Sequence, residues 1–136
     1  MVIARTFVLA MSALAWLALP HAARAGDARA IQLTVPPAPS SQAGMYLSVQ
    51  VGAIPRGAEI QVTTPSGEWI GTVSPFAIHA GRQAGTYVFP LNAGMAQNGH
   101  VTVELSVTYP GTAARPPTLD EVPKVGIVYI PVGTAR

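Results

Sequence analysis

The sequence predicts an all-β fold: a single antiparallel β-sandwich of seven or eight strands over residues 26–136, preceded by a signal peptide over residues 1–25. Three observations predict it. Apolar and polar residues alternate with period two along several short runs, as in strands with one buried and one wet face. Pro, Gly, Asn and Ser clusters punctuate those runs every 8–12 residues or so, the spacing of a sandwich. Beyond residue 25, no window of about 11 residues keeps an i, i+3, i+4, i+7 apolar pattern free of Pro and Gly, so helices are few or absent.

The first segment reads as a leader. Arg5 supplies a positive start, and residues 6–19 are uncharged and apolar. Pro20 ends the run, and Ala23-Arg24-Ala25 is a small-x-small cleavage site. The run is shorter than the roughly 20 residues of a membrane span. A retained anchor is the competing reading. Ala28-Arg29-Ala30 is a second, weaker cleavage signal, and no Cys follows the run to take a lipid. The expected location is periplasmic or secreted, with no membrane insertion after cleavage.

Loss of the leader changes the charge. Residues 26–136 carry six basic side chains and six acidic ones, so the mature chain is formally neutral. No Lys/Arg cluster is present to displace counterions from a phosphate backbone, which argues against nucleic acid and anionic membrane surfaces. There is no Cys, which excludes disulfides, thiol nucleophiles and thiolate metal sites. One domain of this length can bury an adequate core without disulfides.

The elements follow in order. Residues 26–30 read as a loose leader to the fold. Ile31, Leu33 and Val35 alternate with polar residues as a short strand, and residues 36–41 are a Pro-rich surface loop. Met45, Leu47, Val49 and Val51 share one face of the next strand. Residues 54–57 predict a turn with Pro55 at its second position and Gly57 at its fourth. Residues 58–73 predict a hairpin through Thr64-Pro65-Ser66-Gly67. Ser74-Pro75 bends or reverses the chain, and Phe76 and Ile78 continue it. Residues 81–85 form a turn, and Tyr87, Phe89 and Leu91 share a face of the following strand. Pro90 places that strand at a sheet edge or bulge. Residues 92–99 form a loop. Residues 100–109 show the clearest alternation, with Val101, Val103, Leu105, Val107 and Tyr109 on one face. Residues 110–122 form a long polar connection, and residues 124–132 the last strand.

Ala84-Gly85-Thr86-Tyr87-Val88, entering a strand from a turn, resembles the Gly-Thr-Tyr segment of bacterial immunoglobulin-like and fibronectin-like domains. The resemblance implies a sandwich in which the Tyr bonds nearby backbone as a corner, with Trp69 by position the core Trp. It implies a fold and no activity.

Candidate chemistry depends on which end of the sandwich each residue occupies. With the end of the first strand as the top, Met45, Met95 and His100 gather there. Thioether and imidazole suit Cu(I), and copper is the one cofactor suggested; core and loop packing is the competing explanation. Arg56, His79, Arg82, Arg115, Asp120 and Glu121 gather at the bottom. They read as solvated loop charges, or as contacts for an anionic partner group. His79 and His100 lie at opposite ends if the chain runs straight through Ser74-Pro75; a reversal there brings His79 to the top. Trp69, Tyr46 and Tyr129 suggest an aromatic sugar platform, against core or edge packing for Trp69 and Tyr129. No Gly-x-Ser-x-Gly, His-Glu-x-x-His or Gly-rich phosphate loop is present. The expected function is therefore a non-enzymatic exported module that binds or assembles with a protein partner in the envelope or outside the cell. A periplasmic copper carrier is the second expectation and a small secreted hydrolase the third.

Overall fold

The structure, a computed structural model, describes residues 28–74 and 85–133. These form seven strands: β1 (Arg29–Thr34), β2 (Ala43–Val51), β3 (Glu59–Thr63), β4 (Trp69–Val73), β5 (Gly85–Pro90), β6 (His100–Thr108) and β7 (Lys124–Pro131). A 3₁₀ turn at Ala93–Met95 is the one helical element among them. Four strands make a sheet in the order β1-β6-β3-β4, and three make a second in the order β5-β2-β7. All pairings are antiparallel. Both sheets send apolar side chains into one shared core, the layout of a sandwich.

β6 lies between β1 and β3 and is the spine of the larger sheet. Val101, Val103, Leu105 and Val107 are fully buried, while Thr102, Glu104 and Ser106 are half-exposed on the outer side. Leu47, Val49 and Val51 of β2 close the core from the other sheet. The period-two pattern thus reports burial directly, because successive strand residues point to opposite faces. Pro90 sits in β5, an edge strand, where a missing N–H costs no ladder bond.

The ends of the sandwich match the sequence-based assignment over the described residues. Thr34 opposite His100 marks the top, and Glu59 opposite Thr108 the bottom. The leader, Phe76, Ile78, His79, Arg82 and Pro75 lie outside the described residues. The strands flanking that internal segment, β4 and β5, end and begin at the bottom.

Four local expectations are corrected. β1 begins at Arg29, inside the supposed loose leader: Arg29 pairs with Leu105, and its guanidinium donates to the Val122 carbonyl at 3.3 Å. The turn after β2 closes one residue later than expected, through Ala58 N–H to the Pro55 carbonyl at 3.1 Å. Gly57 then occupies the third position with φ 88°, a conformation that disfavours a Cβ. Tyr87 packs against the core and makes no side-chain hydrogen bond among the described residues, so the implied corner is not formed there.

Trp69 is the fourth. A β-bulge interrupts the β3–β4 ladder: Val62 pairs with Gly71, but Thr63 pairs with Trp69, leaving Ile70 unpaired. Cross-strand partners share a face, so Trp69 follows Thr63 outward instead of Gly71 and Val73 inward. The ring is 67% exposed, and its indole N–H donates to Thr72 Oγ1 at 3.0 Å.

The terminal strands depart from the immunoglobulin arrangement. There, the first two strands are neighbours in one sheet and the last two in the other. Here β1 pairs with β6 and β7 with β2.

Candidate functional site

Two constructions stand out, one at each end. At the top, an open groove of about 570 Å³ lies between the β3–β4 turn and the loop before β6. Gln32, His100 and Thr102 form its floor; Thr64, Pro65, Ser66 and Glu68 form one wall; Gly94, Met95, Gln97 and Asn98 form the other.

Each wall is fixed by its own backbone. In the β3–β4 turn, Gly67 N–H donates to the Thr64 carbonyl at 2.9 Å and Thr64 N–H to the Glu68 carbonyl at 2.8 Å. The Thr64 and Ser66 hydroxyls share a bond of 2.8 Å, and Glu68 N–H donates to Thr64 Oγ1 at 3.0 Å. In the other wall, Asn92 Oδ1 accepts from Gly94 N–H at 3.0 Å and caps the 3₁₀ turn. Gln97 and His100 exchange backbone bonds of 2.7 and 2.9 Å around Asn98-Gly99. Both turn residues have positive φ, 52° and 77°, the geometry Asn-Gly favours in a two-residue hairpin loop.

The floor is the outer face of the four-stranded sheet. Gln32 and Thr102 are cross-strand partners, and Thr34 Oγ1 lies 3.5 Å from His100 Nδ1. Among the described residues, one carboxylate and no Lys or Arg line the groove. Ser66, Glu68 and His100 are all present, but Ser66 bonds Thr64 and His100 faces Thr34. Those are not the contacts of a nucleophile–base–acid relay.

Met95 and His100 thus share the groove, as the end assignment expects. Met45 does not line it. It lies in β2, packed against the core, and its carbonyl accepts from Leu91 N–H at 2.9 Å. No group of three or more His, Asp or Glu placed to hold a metal ion occurs among the described residues.

At the bottom, the connection between β6 and β7 is largely exposed but buries Pro117, Glu121 and Val122. Arg115 exchanges backbone bonds of 2.7 and 3.0 Å with Val107. Its guanidinium grips Glu121 with both nitrogens and lies over the Tyr109 ring, 5.0 Å from the centroid. The Tyr109 hydroxyl and Thr118 N–H also donate to the Glu121 carboxylate. Glu121 is only 7% exposed, against the expectation of a solvated charge. The bonds from Arg115, with those from Tyr109 and Thr118, hold its pKa down to about 2. The bond to Glu121 raises the pKa of both Tyr109 and Arg115. Gly52 N–H donates to the Glu121 carbonyl at 2.9 Å and ties the loop to the end of β2. Of the bottom set, Arg56 stands exposed in its turn and Arg115 is committed to Glu121. The sequence offered no periodic signal for this network, because its members are spread along an irregular loop.

Of the aromatic set, Trp69 is exposed on the outer face of the larger sheet. Tyr46 is half-buried on the outer face of the smaller sheet, and the Tyr129 hydroxyl donates to the Pro36 carbonyl at 2.9 Å. They belong to different surfaces and form no common platform. No helix among the described residues is long and apolar enough to cross a membrane.

No family model matches the chain, and neither a curated protein nor a solved structure matches it.

Proposed function

We propose that the chain is an exported, non-catalytic binding module that engages an envelope or extracellular partner through the top groove. One observation carries the reading: two independently braced turns hold hydrogen-bonding side chains over a rigid strand floor. Preorganised polar groups on a fixed scaffold are what a binding site needs. Export rests on the leader pattern of residues 1–25. An immunoglobulin-like relationship is supported by the β2–β5 and β3–β6 pairings, which correspond to neighbours in that fold.

Site-specific photo-cross-linking in the exporting cell tests this. A cross-linker at Gln32 or Gln97 should form a discrete adduct, and one at Thr86 on the opposite sheet should not. Equal adducts from all three positions would discard the groove as the working surface.

The meeting of Met95 and His100 in the groove supports copper as a second reading. Titration calorimetry with Cu(I) separates the two. A stoichiometric site lost in both Met95→Ala and His100→Ala would replace the first reading with the second.

A further inference from the structure

We propose that the open edge of β7 pairs with β7 of a second copy of this chain, antiparallel, joining the two three-stranded sheets into one. This surface is separate from the groove. The edge strands are β1, β4, β5 and β7. An unguarded edge is a template for another strand, so monomers shorten, bulge or charge their edges, or place Pro in them. Three of these four edges are guarded. β1 has six residues and opens on Arg29, β4 has five and carries the bulge, and β5 holds Pro90. β7 runs eight residues in unbroken register with β2. Its one charge is Lys124 at the start, and its one Pro is the last residue.

Two bonds fix which backbone groups face outward. The Met45 carbonyl faces β5, accepting from Leu91 N–H at 2.9 Å, so the alternate residues Gly44, Tyr46 and Ser48 face β7. Val132 N–H donates to the Gln42 carbonyl at 2.9 Å, so Ile130, Val128 and Gly126 face β2. Val125, Ile127 and Tyr129 therefore turn N–H and C=O to the open side, and no turn or loop among the described residues bonds them. An antiparallel copy centred on Ile127 pairs Ile127 with its counterpart and Val125 with Tyr129, giving each of these N–H groups a carbonyl.

The side chains favour a second copy as the added strand. In that register the exposed Val128 of each copy stands over Gly126 of the other, where a Cβ would meet nothing within 4 Å. Each Lys124 falls opposite an exposed Ile130, which keeps the two like charges at opposite ends, about 20 Å apart at 3.3 Å per residue. Val125 and Ile127 face the core but are only half-buried, although their β2 partners Val49 and Leu47 are fully buried. A second copy covers their open side. The twofold pairing uses up both edges and closes on itself.

Sedimentation of the exported chain, purified from the exporting cell, tests this between about 1 µM and 1 mM, the range of small interfaces. The mass should climb from one copy to two and stop there. Gly126→Lys fits the open space but sets a charge where Val128 of the other copy would lie. It should raise the midpoint concentration about tenfold or more, with no fall in the urea midpoint. Val88→Lys, across the same outer face on β5, should leave the midpoint concentration unchanged. The chain has no Cys of its own. Ile127→Cys should therefore give a disulfide-linked pair on mild oxidation, and Thr86→Cys should not. One-copy mass at every concentration overturns the proposal, as does growth beyond two copies. A pair that survives Gly126→Lys, or that Val88→Lys dissociates equally, overturns the β7 edge as the contact. A photo-cross-linker at Val128 that captures only a different envelope chain gives the edge to that chain and overturns self-pairing.

Discussion

Arg115 and Glu121 form a two-pronged ion pair, with Nη2 to Oε1 at 2.6 Å and Nη1 to Oε2 at 3.0 Å. They stand only six positions apart, and the pair closes the loop on itself while Val107 anchors its middle. Glu121→Gln keeps the shape and removes the charge. It should cost about 1–3 kcal/mol, because Arg115 and Thr118 N–H lose a charged acceptor. Urea unfolding near neutral pH measures it; an unchanged midpoint would mean that the network holds nothing together.

The same pair sets a pH dependence. Glu121 holds its proton less tightly when folded, with a pKa of about 2 against an ordinary 4.5. Its contribution to stability is therefore complete above about pH 4.5 and is lost as the pH falls toward 2. The shift sets an upper limit of about 3 kcal/mol. Solvent screening at Arg115, whose side chain is 44% exposed, lowers this to roughly 1–2 kcal/mol. Unfolding of the parent should become easier across that window, and Glu121→Gln should remove this component.

Val103 and Glu104 test the register of β6. Val103 is fully buried, and Glu104 faces outward between Ala30 and Thr63. Val103→Asp buries a carboxyl without a partner and should cost about 3 kcal/mol or more. Glu104→Gln should cost less than about 0.5 kcal/mol. Equal urea midpoints would contradict the assigned faces.

Gly71 of β4 lies beneath Phe89 of β5. A Cβ on Gly71 would stand 2.2 Å from Phe89 Cδ1. Gly71→Ala should therefore cost about 1–3 kcal/mol through overpacking. Pairing it with Phe89→Leu should recover part of that loss. Additive losses in the double variant would show that the two positions do not meet.

Trp69 is the sole Trp in residues 26–136, so fluorescence reports on it alone once the leader is gone. The native emission should resemble that of the unfolded chain, with free access for iodide. A blue-shifted, protected emission would return Trp69 to the core and remove the bulge geometry.

The exported protein should begin at Gly26, as Ala23-Arg24-Ala25 implies. Intact mass decides this, and a retained Met1 would sink both the export reading and the neutral charge balance.

Strand faces were legible in the sequence wherever burial imposes a period. Val101 to Val107 alternate because one face of β6 meets the core and the other meets solvent. The 58–73 hairpin and the placing of Pro90 at an edge or a bulge were legible for a similar reason: each rests on local backbone chemistry that a few residues carry by themselves. Met95 and His100 were placed at one end by counting strands. What the sequence did not decide is whatever depends on a partner distant along the chain. One unpaired residue at Ile70 reverses the face of Trp69, and no local pattern marks that bulge. Glu121 is buried because Arg115, Tyr109 and Thr118 converge on it from a loop without periodicity. The exchange of the terminal strands, β1 onto β6 and β7 onto β2, is likewise a matter of which sheet edge stands open when each strand arrives. Alternation fixes which side of a strand is buried, but only the assembled sheets decide which strand lies beside it.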